Sequence, residues 1–158
     1  MELKEYRLSL DISAKEASSS CGVPLRTYLR YEADDSYGSD LKREQIFSIL
    51  KEKYSITEST GILKLETLKS IVNSILLKYK NDVSYCYLFG SYAKGYAKKD
   101  SDVDLCVSTS LKGFAFLGLV EELRQSLNKK VEVIRSNDLC NNVELINEIM
   151  KSGIKIYG

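Results

Sequence analysis

The segment LFGSYAKGYAKKDSDVDL (88–105) constrains the fold of this chain more than any other feature. A run of β-branched and aromatic residues predicts a strand that ends at Gly90-Ser91, where a short helix begins at once. A second predicted strand, SDVDLCVS (101–108), carries two acids spaced by one residue. Two strands joined by a tight turn and a short helix predict an α/β unit with polar groups gathered near the turn.

The turn at Gly90-Ser91 predicts a binding site for a phosphate. Gly90 permits a tight backbone approach, and the start of a helix presents free N–H groups to an anion. The Ser91 hydroxyl can add one more hydrogen bond.

The two acids, Asp102 and Asp104, predict a metal site beside that phosphate. Their spacing places both carboxylates on one face of the strand, while Val103 and Leu105 point into the core. Hard carboxylate oxygens next to a phosphate are the ligand set that Mg²⁺ prefers, and two such ions can clamp the oxygens of a phosphoryl displacement. The alternative is a surface turn with two solvated aspartates, but acids within an apolar strand are costly without a partner.

Composition narrows the chemistry further. The chain of 158 residues contains no His, which excludes Ser-His-Asp and Cys-His catalysis and His-ligated zinc. Its four cysteines form no CxxC pair, which argues against a zinc ribbon or a thioredoxin-type site. Its net charge of +1 does not by itself suggest binding to nucleic acid. No apolar run could span a bilayer and the N-terminus lacks a cleavage site, so we expect a cytoplasmic protein.

The chain divides into two parts with different patterns. Residues 1–54 hold only short helical patterns, SITESTGI (55–62) is the expected linker, and residues 63–158 alternate helical and strand patterns. A third strand is predicted at KVEVI (130–134), and the C-terminal IKIYG is expected to be a tail. The fold class is therefore α/β (α+β): a small mixed sheet flanked by helices, preceded by a small all-α domain.

Apolar stripes predict which faces of the helices are buried. In the third helix Leu25, Tyr28 and Leu29 share a face, and in the helix 114–127 the expected inward residues are Leu117, Val120, Leu123 and Leu127.

Gly90-Ser91, ten further residues and then Asp-x-Asp resemble the signature of the DNA polymerase β–like nucleotidyltransferase superfamily. The shortness of the unit is similar to the minimal nucleotidyltransferase (MNT) branch, which includes the MNT antitoxins. The resemblance implies an NTP substrate, ATP first among them, and Mg²⁺ or Mn²⁺ bound by Asp102 and Asp104.

Two further site residues follow from the resemblance. The family places a third carboxylate on the next strand, and the matching residue is Glu132, which would bind the metal and help to deprotonate the acceptor hydroxyl. The family usually has Asp at this position. The alternative is that Glu132 is a structural residue whose side chain extends to solvent at a sheet edge. Lys94 matches a basic residue near the triphosphate, with a solvated turn lysine as its alternative.

Gly22-Val23 between two short helices, followed by PLRTYLRYE (24–32), resembles the helix-turn-helix of phage-repressor (Cro/CI, XRE) domains. The resemblance implies that Arg26, Thr27 and Arg30 face DNA. Acids outnumber bases over residues 1–35, which leaves a protein-binding helical module as the alternative.

Together these features predict an enzyme that transfers a nucleoside monophosphate, AMP from ATP, to a hydroxyl of a partner protein. Resemblance to MNT antitoxins implies that the partner is a HEPN-type ribonuclease toxin. The alternatives are a DNA-binding or toxin-sequestering regulator with an inactive nucleotidyltransferase fold, and, less favoured, an antibiotic nucleotidyltransferase.

Overall fold

The computed structural model describes residues 2–158, which divide along the chain into two compact units between Ser55 and Ile56. The N-terminal unit, up to Ser55, holds the helices α1 (Leu3–Ser9), α2 (Ala14–Ser20), α3 (Leu25–Ala33) and α4 (Asp40–Tyr54). None of the helices within residues 2–158 is long and apolar enough to cross a bilayer.

Local signals set the boundaries of α2. Ser13 caps the helix: its side chain accepts a hydrogen bond from the Glu16 backbone, and the Glu16 carboxylate accepts one from the Ser13 backbone in return. The helix is followed by Gly22, whose φ of 64° lies in the left-handed region that a turn into α3 requires.

The N-terminal unit has its own apolar core, made by Leu3, Ala17, Tyr28, Tyr31, Ile46 and Leu50. The predicted stripe of α3 is partly wrong, because Leu25 and Leu29 are 42% and 44% exposed. Tyr31, three residues after Tyr28, is buried in their place.

An ion pair joins α1 to α3 inside this unit. The Arg7 guanidinium donates to both carboxylate oxygens of Glu32, at 2.6 and 3.2 Å, and also to the Ile12 carbonyl at 2.9 Å. The two side chains are only 10% and 5% exposed. Glu32 is thus a structural residue of this unit.

The C-terminal unit, Ile56–Gly158, alternates helices and strands. Its elements are α5 (Leu65–Lys78), β1 (Val83–Phe89), α6 (Gly90–Lys94), β2 (Val103–Thr109), α7 (Gly113–Leu127), β3 (Val131–Arg135), a 3₁₀ turn (Ser136–Leu139), α8 (Val143–Ser152) and β4 (Ile154–Tyr157).

The strands form one mixed sheet in the order β3-β2-β1-β4. β1 is antiparallel to both of its neighbours, and β2 is parallel to β3, connected through α7. The predicted mixed sheet with flanking helices is confirmed. The expected C-terminal tail is wrong, because those residues form the edge strand β4.

The core of this unit lies between the sheet and the helices α5 and α7. Val72 and Leu76 of α5 pack with Leu88 and Leu105 of the strands, all four fully buried. On α7 the predicted stripe holds for Leu123 and Leu127, whereas Leu117 is 58% exposed and Leu119 is buried.

The segment expected to be a linker lies against the C-terminal unit. Ile56 and Leu63 pack on its core, and Arg124 of α7 donates to Glu58 at 2.6 Å. Lys129, fully buried just before β3, donates to the carbonyls of Thr60 and Gly61 at 3.0 and 2.8 Å. Residues 56–63 are therefore held in place by contacts of the unit that follows them.

Candidate active site

Gly90 lies where β1 passes into α6, and nothing larger fits there. Its φ is +73°, and a Cβ atom would lie 2.1 Å from Oδ2 of Asp104. The sequence predicted a glycine that admits a phosphate. The structure shows that the group closest to its missing side chain is the carboxylate of Asp104.

Asp104 lies on β2, between β1 and β3, at one end of the sheet. It pairs with Phe89 of antiparallel β1 on one side and with Glu132 of parallel β3 on the other. Neighbouring strands are about 4.8 Å apart, so Asp104 and Glu132 are direct neighbours across the ladder. Val103 and Leu105 are fully buried on the opposite face, as the two-residue period predicts.

The environment of Asp104 disfavours its charge. Burial, followed in decreasing order by the negative charges of Glu132, Asp102 and Glu148, raises the pKa of this carboxyl to about 6. No cation is among the groups that shift it. A half-buried acid surrounded by other acids is an arrangement that a bound cation would relieve.

The other two predicted metal ligands are exposed. Asp102 directly precedes β2, and Glu132 lies on β3, an edge strand of the sheet. The carboxyl that is withdrawn from solvent at this end of the sheet is that of Asp104, not that of Glu132. Glu132 contributes through its position beside Asp104 and its charge.

Glu148 is a site residue that the sequence reasoning missed. It lies on α8, yet its charge reaches Asp104, and its Oε1 accepts a hydrogen bond from Lys94 Nζ at 2.6 Å. Lys94 thus lies at the predicted site but is already paired, and that pair raises the pKa of its ammonium. The signal available in the sequence was only an acid on an amphipathic helix.

Lys129 fastens the loop that leads to Asp102. Besides Thr60 and Gly61, its ammonium donates to the carbonyl of Lys99 at 2.5 Å. Burial lowers its pKa. Three backbone carbonyls accept its three protons, so this lysine is an internal brace for the loop.

The carboxylates suit a divalent cation whose coordination shell is completed by oxygens of a bound ligand. Within residues 2–158 no three Asp, Glu or Cys side chains lie close enough to enclose a metal ion on their own. Hard carboxylate oxygens are available from Asp102, Asp104 and Glu132. Mg²⁺ commonly takes one or two carboxylates plus phosphate and water. The residues therefore fit the group, with substrate oxygens filling the remaining positions.

The predicted DNA-contacting residues lie on α3 of the N-terminal unit. Arg26 and Arg30 are exposed, and Thr27 is half-buried beside the turn at Gly22. The Arg30 guanidinium lies 5.7 Å from the centre of the Tyr37 ring. Two arginines one turn apart are thus available on one surface of α3.

Known proteins match the C-terminal unit. The family described as polymerase beta, nucleotidyltransferase matches residues 66–158. A protein of Methanocaldococcus jannaschii named "Putative protein adenylyltransferase" is 33% identical over 84 residues, which cover 48% of this chain and 96% of that protein.

Two solved structures share the fold. One named "Structure of putative minimal nucleotidyltransferase" is 26% identical with a TM-score of 0.50, over 58% of this chain and 95% of that chain. One named "Crystal structure of the toxin-antitoxin with AMP-PNP" is 23% identical with a TM-score of 0.50, over 57% and 73%. The sequence match, the mixed sheet and the carboxylates at one end of its strands agree: the chain belongs to the polymerase β nucleotidyltransferase family.

Proposed function

We propose that the chain transfers AMP from ATP to a hydroxyl group of a partner protein. The observation that carries this proposal is Asp104, half-buried beside Gly90, with three other carboxylates and no cation among the groups that shift its pKa. Such a cluster favours a divalent cation, which a nucleotide can bring bound to its phosphates.

The phosphates would lie beside α6. Ser91 is half-buried in the first turn after Gly90, and its hydroxyl can donate to a phosphate oxygen. Lys94, at the end of the same helix, can supply a positive charge. Both residues belong to one short element whose entry is fixed by Gly90.

Asp102, Asp104 and Glu132 would hold Mg²⁺ or Mn²⁺. When bound, the metal neutralises charge that develops on the phosphate oxygens. Glu132, exposed on the edge strand, would accept the proton of the acceptor hydroxyl. The acceptor oxygen forms a bond to the α-phosphorus. The bond between the α-phosphorus and the oxygen that bridges it to the β-phosphate breaks, and pyrophosphate leaves with that oxygen.

The acceptor that we propose is a tyrosine of a HEPN-type helical toxin. The resemblance to MNT antitoxins implies this partner, and two observations support a protein acceptor. Relatives such as the M. jannaschii protein are named protein adenylyltransferases, and a toxin–antitoxin complex with AMP-PNP shares the fold. In this proposal the chain is the antitoxin that silences its partner.

For the N-terminal unit we propose contact with operator DNA through Arg26, Thr27 and Arg30 of α3. The exposure of both arginines beside the Gly22 turn supports it. Binding to the promoter of its own gene should then weaken steeply with salt and fall in Arg26→Ala and Arg30→Ala. If the folded chain shifts no such DNA at low salt, α3 serves a protein partner instead.

The transfer is tested by incorporation of labelled AMP. Purified chain, ATP labelled in the α-phosphate and Mg²⁺ are mixed with the small helical protein encoded beside it. We expect the partner to be labelled by wild type and by Glu132→Asp, but not by Asp102→Asn/Asp104→Asn. Glu132→Gln should bind ATP but transfer little, because its effect belongs to the transition state.

Glu144→Gln is the matched control, since this exposed acid lies on α8 and is outside the proposed metal ligands. Its labelling should equal that of wild type. Labelling by the double Asp variant at the wild-type rate would refute the proposed site. Wild type that binds ATP and labels no partner, while Glu132→Asp does, would mark a decayed enzyme.

A further inference from the structure

Lys94, the cation that we propose for the phosphates, is held in an ion pair with Glu148. Lys94 Nζ and Glu148 Oε1 are 2.6 Å apart, and each side chain is about a third exposed, at 32% and 33%. Both ends of the pair are thus accessible to a ligand in solution. A partly exposed pair of this kind contributes little stability and can exchange partners readily.

Glu148 has a second relation to the site. Glu148 contacts α6, the helix that begins at Gly90 beside Asp104, so its charge adds negative potential where a triphosphate has to enter. A carboxylate that only oriented Lys94 could lie away from the acids. Glu148 instead both holds the cation and repels the anion, and the two effects act in the same direction.

We propose that Glu148 is a positioning residue, which holds Lys94 until the phosphates of a nucleotide displace it and takes Lys94 back as pyrophosphate leaves. This inference rests on the proposed function, because it assigns phosphates to the side of α6 that carries Ser91 and Lys94. In the resting protein Lys94 is paired. In the nucleotide complex its ammonium faces phosphate, and Glu148 faces solvent. The exchange weakens binding of both the triphosphate and pyrophosphate, and it speeds product release.

The geometry gives Glu148 a matched control on its own helix. Glu144 lies four residues earlier on the same helix and is exposed to solvent. Replacing either acid by Gln removes one negative charge from α8. Only the change at position 148 removes the partner of Lys94.

The test is calorimetric titration of the full chain with ATP, with pyrophosphate and with adenosine, at about 0.3 M salt. At this salt the Debye length is about 5–6 Å, so repulsion over longer distances is largely screened. Glu148→Gln should bind ATP and pyrophosphate about two- to five-fold more tightly, the range that a partly exposed ion pair contributes. Its affinity for adenosine should be unchanged, and Glu144→Gln should match wild type for all three ligands.

A second pair of variants tests the route through Lys94. Lys94→Met should weaken ATP binding about ten-fold or more, because it removes a charge-assisted contact to phosphate. Adding Glu148→Gln to Lys94→Met should give a smaller gain than in wild type. An equal gain in both backgrounds would show that Glu148 acts without Lys94, which contradicts the inference.

The outcomes separate this inference from the proposed function. If wild type binds neither ATP nor pyrophosphate, the nucleotide site itself is wrong and the inference falls with it. If wild type binds ATP and Asp102→Asn/Asp104→Asn abolishes binding, the proposed site stands. Glu148→Gln that then binds ATP no tighter than wild type, or more weakly, overturns only the role given to Glu148. Circular dichroism of each variant shows that it is folded.

Discussion

The two units of the chain each withdraw an acid from solvent, and they treat it in opposite ways. In the N-terminal unit Glu32 accepts two hydrogen bonds from Arg7, and both side chains are almost fully buried. In the C-terminal unit Asp104 is half-buried with Glu132, Asp102 and Glu148 acting on it. One acid is compensated within the fold, and the other is opposed by its neighbours.

This difference separates an acid that stabilises the fold from one that we propose to serve a ligand. A buried charge costs free energy unless it is paired, and Arg7 supplies the pair for Glu32. Asp104 keeps its cost in the free protein, which is the pattern of a site whose missing charge arrives with the substrate. The comparison also accounts for Glu32 near the end of α3, since it ties α3 to α1.

The largest effect is expected from breaking the compensated pair. Glu32→Gln leaves the Arg7 guanidinium buried without its counter-charge, so the free energy of unfolding of the N-terminal unit should fall by about 3–5 kcal/mol. Urea unfolding followed by far-UV circular dichroism measures it. Asp35→Asn is the control, because Asp35 is 66% exposed in its pair with Arg43, and its loss should cost under about 1 kcal/mol. Equal effects of the two changes would remove the contrast between the units.

A smaller effect is expected from filling the space beside Asp104. Gly90 and Gly95 both have left-handed φ values, +73° and +82°, but only the Cβ added at Gly90 would meet another atom within 4 Å. Gly95→Ala should therefore cost about 1–2 kcal/mol of backbone strain, and Gly90→Ala should cost that amount plus the clash with the carboxylate. Thermal unfolding of both variants measures the difference. Gly90→Ala in an Asp104→Ala background should lose most of its excess over Gly95→Ala, because only the Cβ atom at position 104, 3.3 Å away, remains. An excess that is retained in full would place the clash elsewhere.

The sequence was informative where the signal was local. The alternation of Asp102, Val103 and Asp104 follows from the period of a strand, and the capping of α2 follows from Ser13 and Glu16. The close approach of Gly90 to Asp104 could not be read in this way, because it depends on the register between β1 and β2.

Contacts between distant segments were the part that the sequence did not reveal. Glu148 reaches the site because α8 leads into β4, which pairs with β1; the four residues of β4 are too few to show a clear period. On α7 the stripes through Leu117 and Leu119 both include Leu123 and Leu127, so periodicity alone could not choose between them. Packing against the sheet decides for Leu119.

The central claim is that Asp104 lowers the stability of the free protein while serving the bound nucleotide, and the pH dependence of Asp104→Asn tests it most directly. The pKa of Asp104 is raised in the folded state to about 6 from its ordinary value of 3.8. The folded protein therefore binds this proton more tightly than the unfolded chain, and the penalty is complete above pH 6 and relieved as the pH falls toward 4.

At pH 7.5 Asp104→Asn should accordingly unfold at a higher temperature than wild type. The expected gain in the free energy of unfolding is about 1–2 kcal/mol, after allowance for the access of solvent to the half-buried carboxyl. That advantage should shrink between pH 6 and pH 4, and the same variant should lose ATP binding in the presence of Mg²⁺. Glu144→Gln should show neither change. A variant at Asp104 that is less stable than wild type at pH 7.5, or that binds ATP with Mg²⁺ as wild type does, would contradict the account.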